Sequence, residues 1–354
     1  MLTSAFRYEL PDELIAREPL EPRDKARLLV SRLSSELADT NVTELPDYLD
    51  SGDLLVVNNT KVLPARIPIA RNTGGKGEIF LLNRIAAGVW EALVKPSAKI
   101  DVGEKVRVEN SELEIEIGQN NGEGHRIVTF PDVIPSDPSV IPSGVEGSKS
   151  DLDIIHEIGQ APLPPYLGKV DISLDRYQTM FAKQEQSVAA PTAGLHFTPN
   201  LKTALKNKGI EIVEVTLHVG VGTFRPILVD NIEDHKMHSE FYEVSESVWK
   251  QIQDTKQRGN KVIAVGTTSL RTLESVALRN ELAGDTDIYC YGDFDFKVVD
   301  MLMTNFHQSE STLLVLLDAF IGSRWKDLYE HAIESRYRFL SFGDAMLIAK
   351  GRNN

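Results

Sequence analysis

Apolar positions along this chain come in short runs and alternations, not in long helical stripes. The clearest alternation runs from Ile212 to Val219. Val213, Val215, Leu217 and Val219 share one face of an extended strand, and Glu214, Thr216 and His218 share the other, because strand side chains alternate. That polar row suits either a cavity wall or the wet face of an edge strand. Leu28 to Leu33, Asp53 to Val57, Val188 to Ala190, Lys261 to Val265 and Lys297 to Met303 read as further strands. Helices follow three of them. Thr198-Pro199 is an N-cap and first-turn proline for a helix from Asn200 to Asn207, stopped at Gly209. Leu270 to Arg279 follows the tight turn Gly266-Thr267-Thr268-Ser269, and a helix from Ser311 or Thr312 to Phe320 follows Thr304 to Glu310. Leu45 to Leu49 reads as a short helix, and the segment from Trp325 to Ala349 starts as one.

The pattern changes between residues 67 and 155. After the turn Gly74-Gly75-Lys76-Gly77 come Glu78 to Leu82, Val89 to Val94, Lys105 to Glu109, Leu113 to Ile117 and Arg126 to Phe130, spaced as in a small antiparallel barrel or sandwich. The glycine turn is no phosphate loop, since neither a Lys-Ser/Thr ending nor a helix start follows it. Pro131 to Asp153 is rich in proline, serine and glycine and reads as a long, mobile surface loop.

Candidate chemistry sits at strand exits. The stretch SVAAPTAGLHFT, Ser187 to Thr198, breaks at Pro191 and brings Thr192, Gly194 and His196 to a helix start. Thr267 and Thr268 open the next helix, where backbone N–H groups and hydroxyls suit an anion or simply cap a turn. Asn305 and His307 lie in the third loop. Ligands of open α/β sheets collect at the carboxyl ends of strands, so parallel neighbouring strands would make His196, Thr267, Thr268, Asn305 and His307 converge. Gly220-Val221-Gly222-Thr223-Phe224-Arg225 closes the alternating strand with glycines, a hydroxyl and an arginine, as an anionic or sugar ligand requires. Asn58 to Arg66, with Asn59, Lys61 and Arg66, reads either as an asparagine-rich turn with surface cations or as a ligand-facing edge. His235, His238 and Glu240 lack the further ligands that a metal centre needs, and no metal is expected.

At 354 residues, 42% hydrophobic and 25% charged, the chain has room for about two domains of a globular protein. The single cysteine, Cys290, excludes an internal disulfide and suits a reducing compartment. The amino terminus is charged throughout and lacks a signal-peptide core, and the apolar run Leu313 to Leu317 is too short to span a bilayer. A cytoplasmic protein with no membrane contact is expected. The net charge of −14 argues against a general nucleic-acid binder but leaves room for a local basic patch.

Taken in order, ELPDELIAREPLEPRDKARLLV, GDLLVVNNTKVLPARI, LPPYLGKVDISLDRYQTMFA, VAAPTAGLHFT, LHVGVGTFRPI, MHSEFYEV, VIAVGTTSLRTLES and TNFHQSESTLL resemble the S-adenosylmethionine:tRNA ribosyltransferase-isomerases of queuosine biosynthesis over nearly the whole chain. The family usually has Asp where Asn59 stands, Arg where Lys61 stands, and a proline-lysine pair where Ser309-Glu310 stand. The stretch 131–153 looks like an insertion. The resemblance implies an α/β fold with α+β elements: a main sheet domain, residues 1–66 and 156–354, interrupted by a small antiparallel β-barrel domain, residues 67–155. It implies a monomer that consumes S-adenosylmethionine as a ribosyl donor, with no resident cofactor. The acceptor would be 7-aminomethyl-7-deazaguanine at the wobble position of tRNA, and the products epoxyqueuosine-tRNA, adenine and methionine. The sulfonium acidifies the neighbouring 5′ hydrogens, which calls for a base, and adenine leaves more readily when protonated. His196, His218 and His307 are the candidates for these roles. Asn59, Arg66, Thr192, Gly194, Gly220, Gly222, Thr223, Arg225, Thr267, Thr268, Arg271 and Asn305 are the candidates for substrate binding. Arg225 and Arg271 suit a carboxylate or phosphate as bidentate donors, and equally suit structural ion pairs. A methyltransferase using the same cosubstrate would release S-adenosylhomocysteine and normally carry a glycine-rich first βα turn. A non-catalytic tRNA-binding module would leave the cosubstrate untouched.

Overall fold

Strands that are apolar on both faces must lie inside a sheet covered on both sides, and three such strands form the middle of this protein. The computed structural model describes residues 1–32, 37–71, 73–121, 124–131, 133, 149–168, 170, 172–220, 222 and 226–351. In chain order the first strands are β1 (Arg27–Ser31), β2 (Ala38–Asn41), β3 (Leu54–Asn58) and β4 (Thr60–Val62). Then come β5 (Arg66–Ala70), β6 (Lys76–Ala86), β7 (Val89–Lys95), β8 (Glu104–Val108), β9 (Glu114–Asn120) and β10 (His125–Thr129). Helix α1 (Asp151–Ile158), β11 (Gln184–Ser187), α2 (Pro199–Asn207), β12 (Glu211–Leu217), β13 (Glu240–Glu243) and α3 (Glu246–Gln257) follow. The chain ends with β14 (Val262–Val265), α4 (Gly266–Arg279), β15 (Ala283–Thr286), β16 (Met301–Asn305), α5 (Thr312–Ile321), α6 (Arg324–Glu334) and β17 (Ala345–Ala349).

The main sheet has nine strands in the order β15-β13-β12-β3-β14-β16-β17-β1-β2. Its centre, β12-β3-β14-β16, is parallel throughout, so these four strands end on the same side. Alternation along β3 divides the core. Leu54 and Val56 join Val262, Ala264, Leu270, Leu273 and Leu302 on one face, whereas Leu55 and Val57 join Ile263, Val265, Met303, Leu201 and Leu205 on the other. The strands inserted after β4 close a separate barrel, β10-β7-β6-β5-β8-β9, around its own core of Ile67, Ile69, Ile79, Trp90, Val106, Ile115 and Val128. The α/β fold interrupted by an antiparallel barrel is therefore present. Among the described residues no helix is long and apolar enough to cross a membrane.

Several elements differ from the pattern reading, each for a local reason. The strand expected at Val188–Ala190 lies earlier, at β11, and pairs with β4 outside the main sheet. Ser187 ends it, because its hydroxyl accepts from the Val219 N–H at 2.7 Å and donates to the Ala189 carbonyl at 3.1 Å. The strand expected from Lys297 starts only at Met301, since the N–H groups of Lys297, Val298 and Val299 are taken by the Glu274 carboxylate at 2.8–3.1 Å. The turn Gly266–Ser269 is itself the first turn of α4, entered with Gly266 at φ 85°. The last segment leaves its helix at Glu334. Arg336 and Leu340 adopt positive φ, and the Asp344 carboxylate gathers the N–H groups of Arg27 and Arg338, which returns the chain to the sheet as β17. β12 is an interior strand, not an edge. Leu45–Leu49 falls in a 3-10 turn, Val42–Tyr48. Of the expected loop, residues 132 and 134–148 lie outside the described residues, and Asp151 opens α1 behind a Ser150–Asp153 capping box.

Candidate active site

Two of the three strand exits do lie side by side. β14 and β16 are parallel neighbours, and the loop Ala190–Ala193 leads into a single 3-10 turn, Thr192–His196, against the end of β16. Between them is a cavity of about 70 Å³, walled by Pro191 and Thr192, by Gly266, Thr267 and Thr268, and by Thr304, Asn305 and His307. The cavity is partly open to solvent. Tyr166, Ser311 and Ser341 complete the wall.

Asn305 ties the wall together. Its Oδ1 accepts from the Thr192 hydroxyl at 3.0 Å, and its Nδ2 lies 3.3 Å from His196 Nε2 and 3.4 Å from the Asp344 carbonyl. With Asn305 donating, His196 Nε2 is the acceptor and the ring is the neutral Nδ1–H tautomer. Burial lowers His196 to about 4 despite its hydrogen bond to the Arg23 backbone, so it is neutral near pH 7. His196 does not line the cavity. It stands behind Asn305 and orients it.

His307 does line the cavity. Its Nε2 is 3.1 Å from Thr304 Oγ1, its N–H donates to the Tyr329 hydroxyl at 2.8 Å, and its carbonyl accepts from the Tyr8 hydroxyl. Burial pushes it down to about 3. Its imidazole is therefore neutral near pH 7, and becomes an effective base only where a neighbouring negative charge favours the imidazolium.

Helix α4 is anchored along its length. Arg271 forms a buried ion pair with Glu240 on β13, the Glu274 carboxylate holds the approach to β16, and Ser275 shares a hydrogen bond with Thr286. Its first turn is thereby fixed against the cavity. Ser269 is turned away, donating to the Val265 carbonyl at 2.9 Å. Arg271 is thus an ion-pair partner inside the protein, and Glu240 also accepts from the Gly220 N–H at 2.8 Å.

The remaining candidates lie apart from the cavity wall. His218 packs on Phe241, with ring centroids 5.3 Å apart, and burial lowers its pKa. Asn59 accepts from Thr216 at 2.8 Å and so joins β3 to β12. Arg66 opens the barrel and pairs with Glu78. Gly194 packs against Thr179, where a methyl would come within 3.1 Å, and Gly222 abuts His238. Thr223 and Arg225 lie outside the described residues. Among the described residues no group of three His, Cys, Asp or Glu is gathered as a metal ligand set.

The sequence reading passed over Tyr166, Thr304, Ser311 and Ser341 as wall residues. Thr304 and Ser311 flank Asn305 and His307, and this adjacency was an available signal. Tyr166 and Ser341 share a hydroxyl–hydroxyl bond across widely separated segments, and burial raises Tyr166 to about 12; nothing local announces that contact.

The chain matches the family model described as Queuosine biosynthesis protein over residues 3–348. It is 46% identical over 353 residues to the S-adenosylmethionine:tRNA ribosyltransferase-isomerase of Thermotoga petrophila, covering 98% of this chain and 100% of that one. The protein of the same name from Natranaerobius thermophilus is 46% identical over 98% of this chain and 99% of its own. The crystal structure of S-adenosylmethionine tRNA ribosyltransferase from Thermotoga maritima is similar with a TM-score of 0.54 and 37% identity, covering 98% of this chain and 100% of that one.

Proposed function

The chain belongs to the queuosine biosynthesis protein family, and from that premise we propose that the cavity at the ends of β14 and β16 is where S-adenosylmethionine is held for ribosyl transfer to tRNA. The enzyme is a transferase-isomerase. The acceptor is the aminomethyl nitrogen of 7-aminomethyl-7-deazaguanine at the tRNA wobble position. The ribosyl group is transferred and rearranged to the epoxycyclopentane of epoxyqueuosine, and adenine and methionine depart. S-adenosylmethionine is a consumed cosubstrate, and the protein works as a cytoplasmic monomer.

The observation that carries this reading is His307 on one cavity wall with Thr192, Thr268 and Asn305. In our reading His307 takes the acidified 5′ proton beside the sulfonium. Asn305, held by His196 and Thr192, orients the cosubstrate. Dipoles already fixed in place act without reorganising, which is where much of an enzyme's electrostatic gain arises.

Product analysis tests it. The protein is incubated with S-adenosylmethionine and tRNA bearing the aminomethyl-deazaguanine, and the nucleosides are identified by mass. Adenine released in step with epoxyqueuosine is the expected result. S-adenosylhomocysteine would mean a methyltransferase, and tight tRNA binding without turnover a binding module. His307→Ala should fold and lose turnover; retained turnover removes it as the base.

A further inference from the structure

The first N–H groups of an α-helix have no partner within it, and a side chain normally caps them. At α4 no side chain does so. This helix is 14 residues long and starts on the cavity wall, so the positive end of its dipole points at the cavity. A second observation is independent of the helix end. Thr268 is only 7% exposed and lines the cavity, yet its hydroxyl has no hydrogen-bond partner among the described residues. A buried hydroxyl left without a partner is costly, so a group that enters the cavity and accepts from it is favoured. Gly266 leaves that place open. A methyl built on it would stand 3.5 Å from Thr268 Oγ1 and 3.6 Å from the Ala193 methyl, inside the same recess.

We propose that the amino end of α4, together with the Thr268 hydroxyl, binds the carboxylate of the methionyl half of S-adenosylmethionine. The inference rests on the function proposed above and adds where the amino-acid end of the cosubstrate sits. A carboxylate matches the recess in charge and in acceptor number.

The test is calorimetric titration of the full chain with S-adenosylmethionine and with its decarboxylated analogue. The wild-type protein should bind S-adenosylmethionine at least about tenfold more tightly than the analogue. Thr268→Val should weaken S-adenosylmethionine binding about tenfold and leave the analogue unchanged. Equal wild-type affinities would overturn the inference without recourse to any variant, and so would a Thr268→Val variant that weakens both ligands alike or neither. Failure of the wild type to bind either ligand with the acceptor tRNA also present would instead remove the cavity as the cosubstrate site, and the carboxylate site with it.

Discussion

Asp151 beneath the barrel and the cavity at the ends of β14 and β16 are both buried and polar, but their groups are partnered very differently. The Asp151 carboxylate is fully enclosed. It accepts from Arg84 at 2.6 and 2.8 Å, from Trp90 Nε1 at 2.9 Å and from the Gly88 N–H at 3.1 Å. In the cavity, Thr268 keeps an unmatched hydroxyl and α4 an uncapped end. A closed network fixes shape, and its loss costs stability. An open one waits for a ligand, and its loss should cost binding. The separation can be measured.

The largest expected effect is at Asp151. Asp151→Ala strands a guanidinium, an indole N–H and a backbone N–H, and breaking a buried pair from one side costs about 3–5 kcal/mol. Urea unfolding reads this loss, and cosubstrate affinity of the still-folded protein should not move. A loss under about 1 kcal/mol would break the comparison at its structural end. Asn305 stands between the two extremes, being partnered and on the cavity wall. Asn305→Ala should cost about 1–3 kcal/mol through the unpartnered Thr192 and His196, and should lower the rate of adenine release about a hundredfold by misplacing the cosubstrate. A stability loss with unchanged turnover would make Asn305 purely structural.

How far sequence could anticipate this division follows from the range of the interactions. β3, β14 and the barrel strands are legible because alternation and short apolar runs are local. The helix starts at Thr198 and Ser311 are legible because caps are local, whereas the start at Gly266, which no side chain caps, reads as a turn. Where a side chain from elsewhere takes over the backbone, local reading fails. Glu274 delays β16, Ser187 ends β11, and Asp344 turns the last segment into β17. For the same reason sequence leaves Arg271 equally suited to a ligand or to an ion pair, and the fold pairs it with Glu240. Thr267, Thr268, Asn305 and His307 share one wall because β14 and β16 are adjacent, and strand order is not written in any local pattern.

A smaller effect concerns acid. Burial holds His307 near 3 and His196 near 4 in the folded protein, below the ordinary value of 6.5. Above pH 6.5 both states are neutral and nothing is lost. As pH falls below 6.5 the unfolded chain takes up protons that the folded one refuses, so stability drops toward the folded values, by about 1.4 kcal/mol per pH unit for each histidine. His307→Gln should remove one such proton from the slope of stability against pH between 6.5 and 4. An unchanged slope would mean that the cavity already admits a charged imidazole.

The smallest expected effect on stability is at Thr268, where the comparison is sharpest. Valine keeps the branched shape of threonine, so Thr268→Val exchanges the hydroxyl for a methyl and changes little else. Because that hydroxyl has no partner, no hydrogen bond is lost and the desolvation cost of burying it disappears. The variant should therefore unfold at the same urea concentration as the wild type or a slightly higher one, within about 0.5 kcal/mol, while losing its hold on S-adenosylmethionine. A group whose removal stabilises the fold and weakens the ligand is one retained for binding at some expense to stability. A clear destabilisation would mean that Thr268 is satisfied in the free protein, by an ordered water for instance. The opposition between the closed barrel network and the open cavity would then be one of degree.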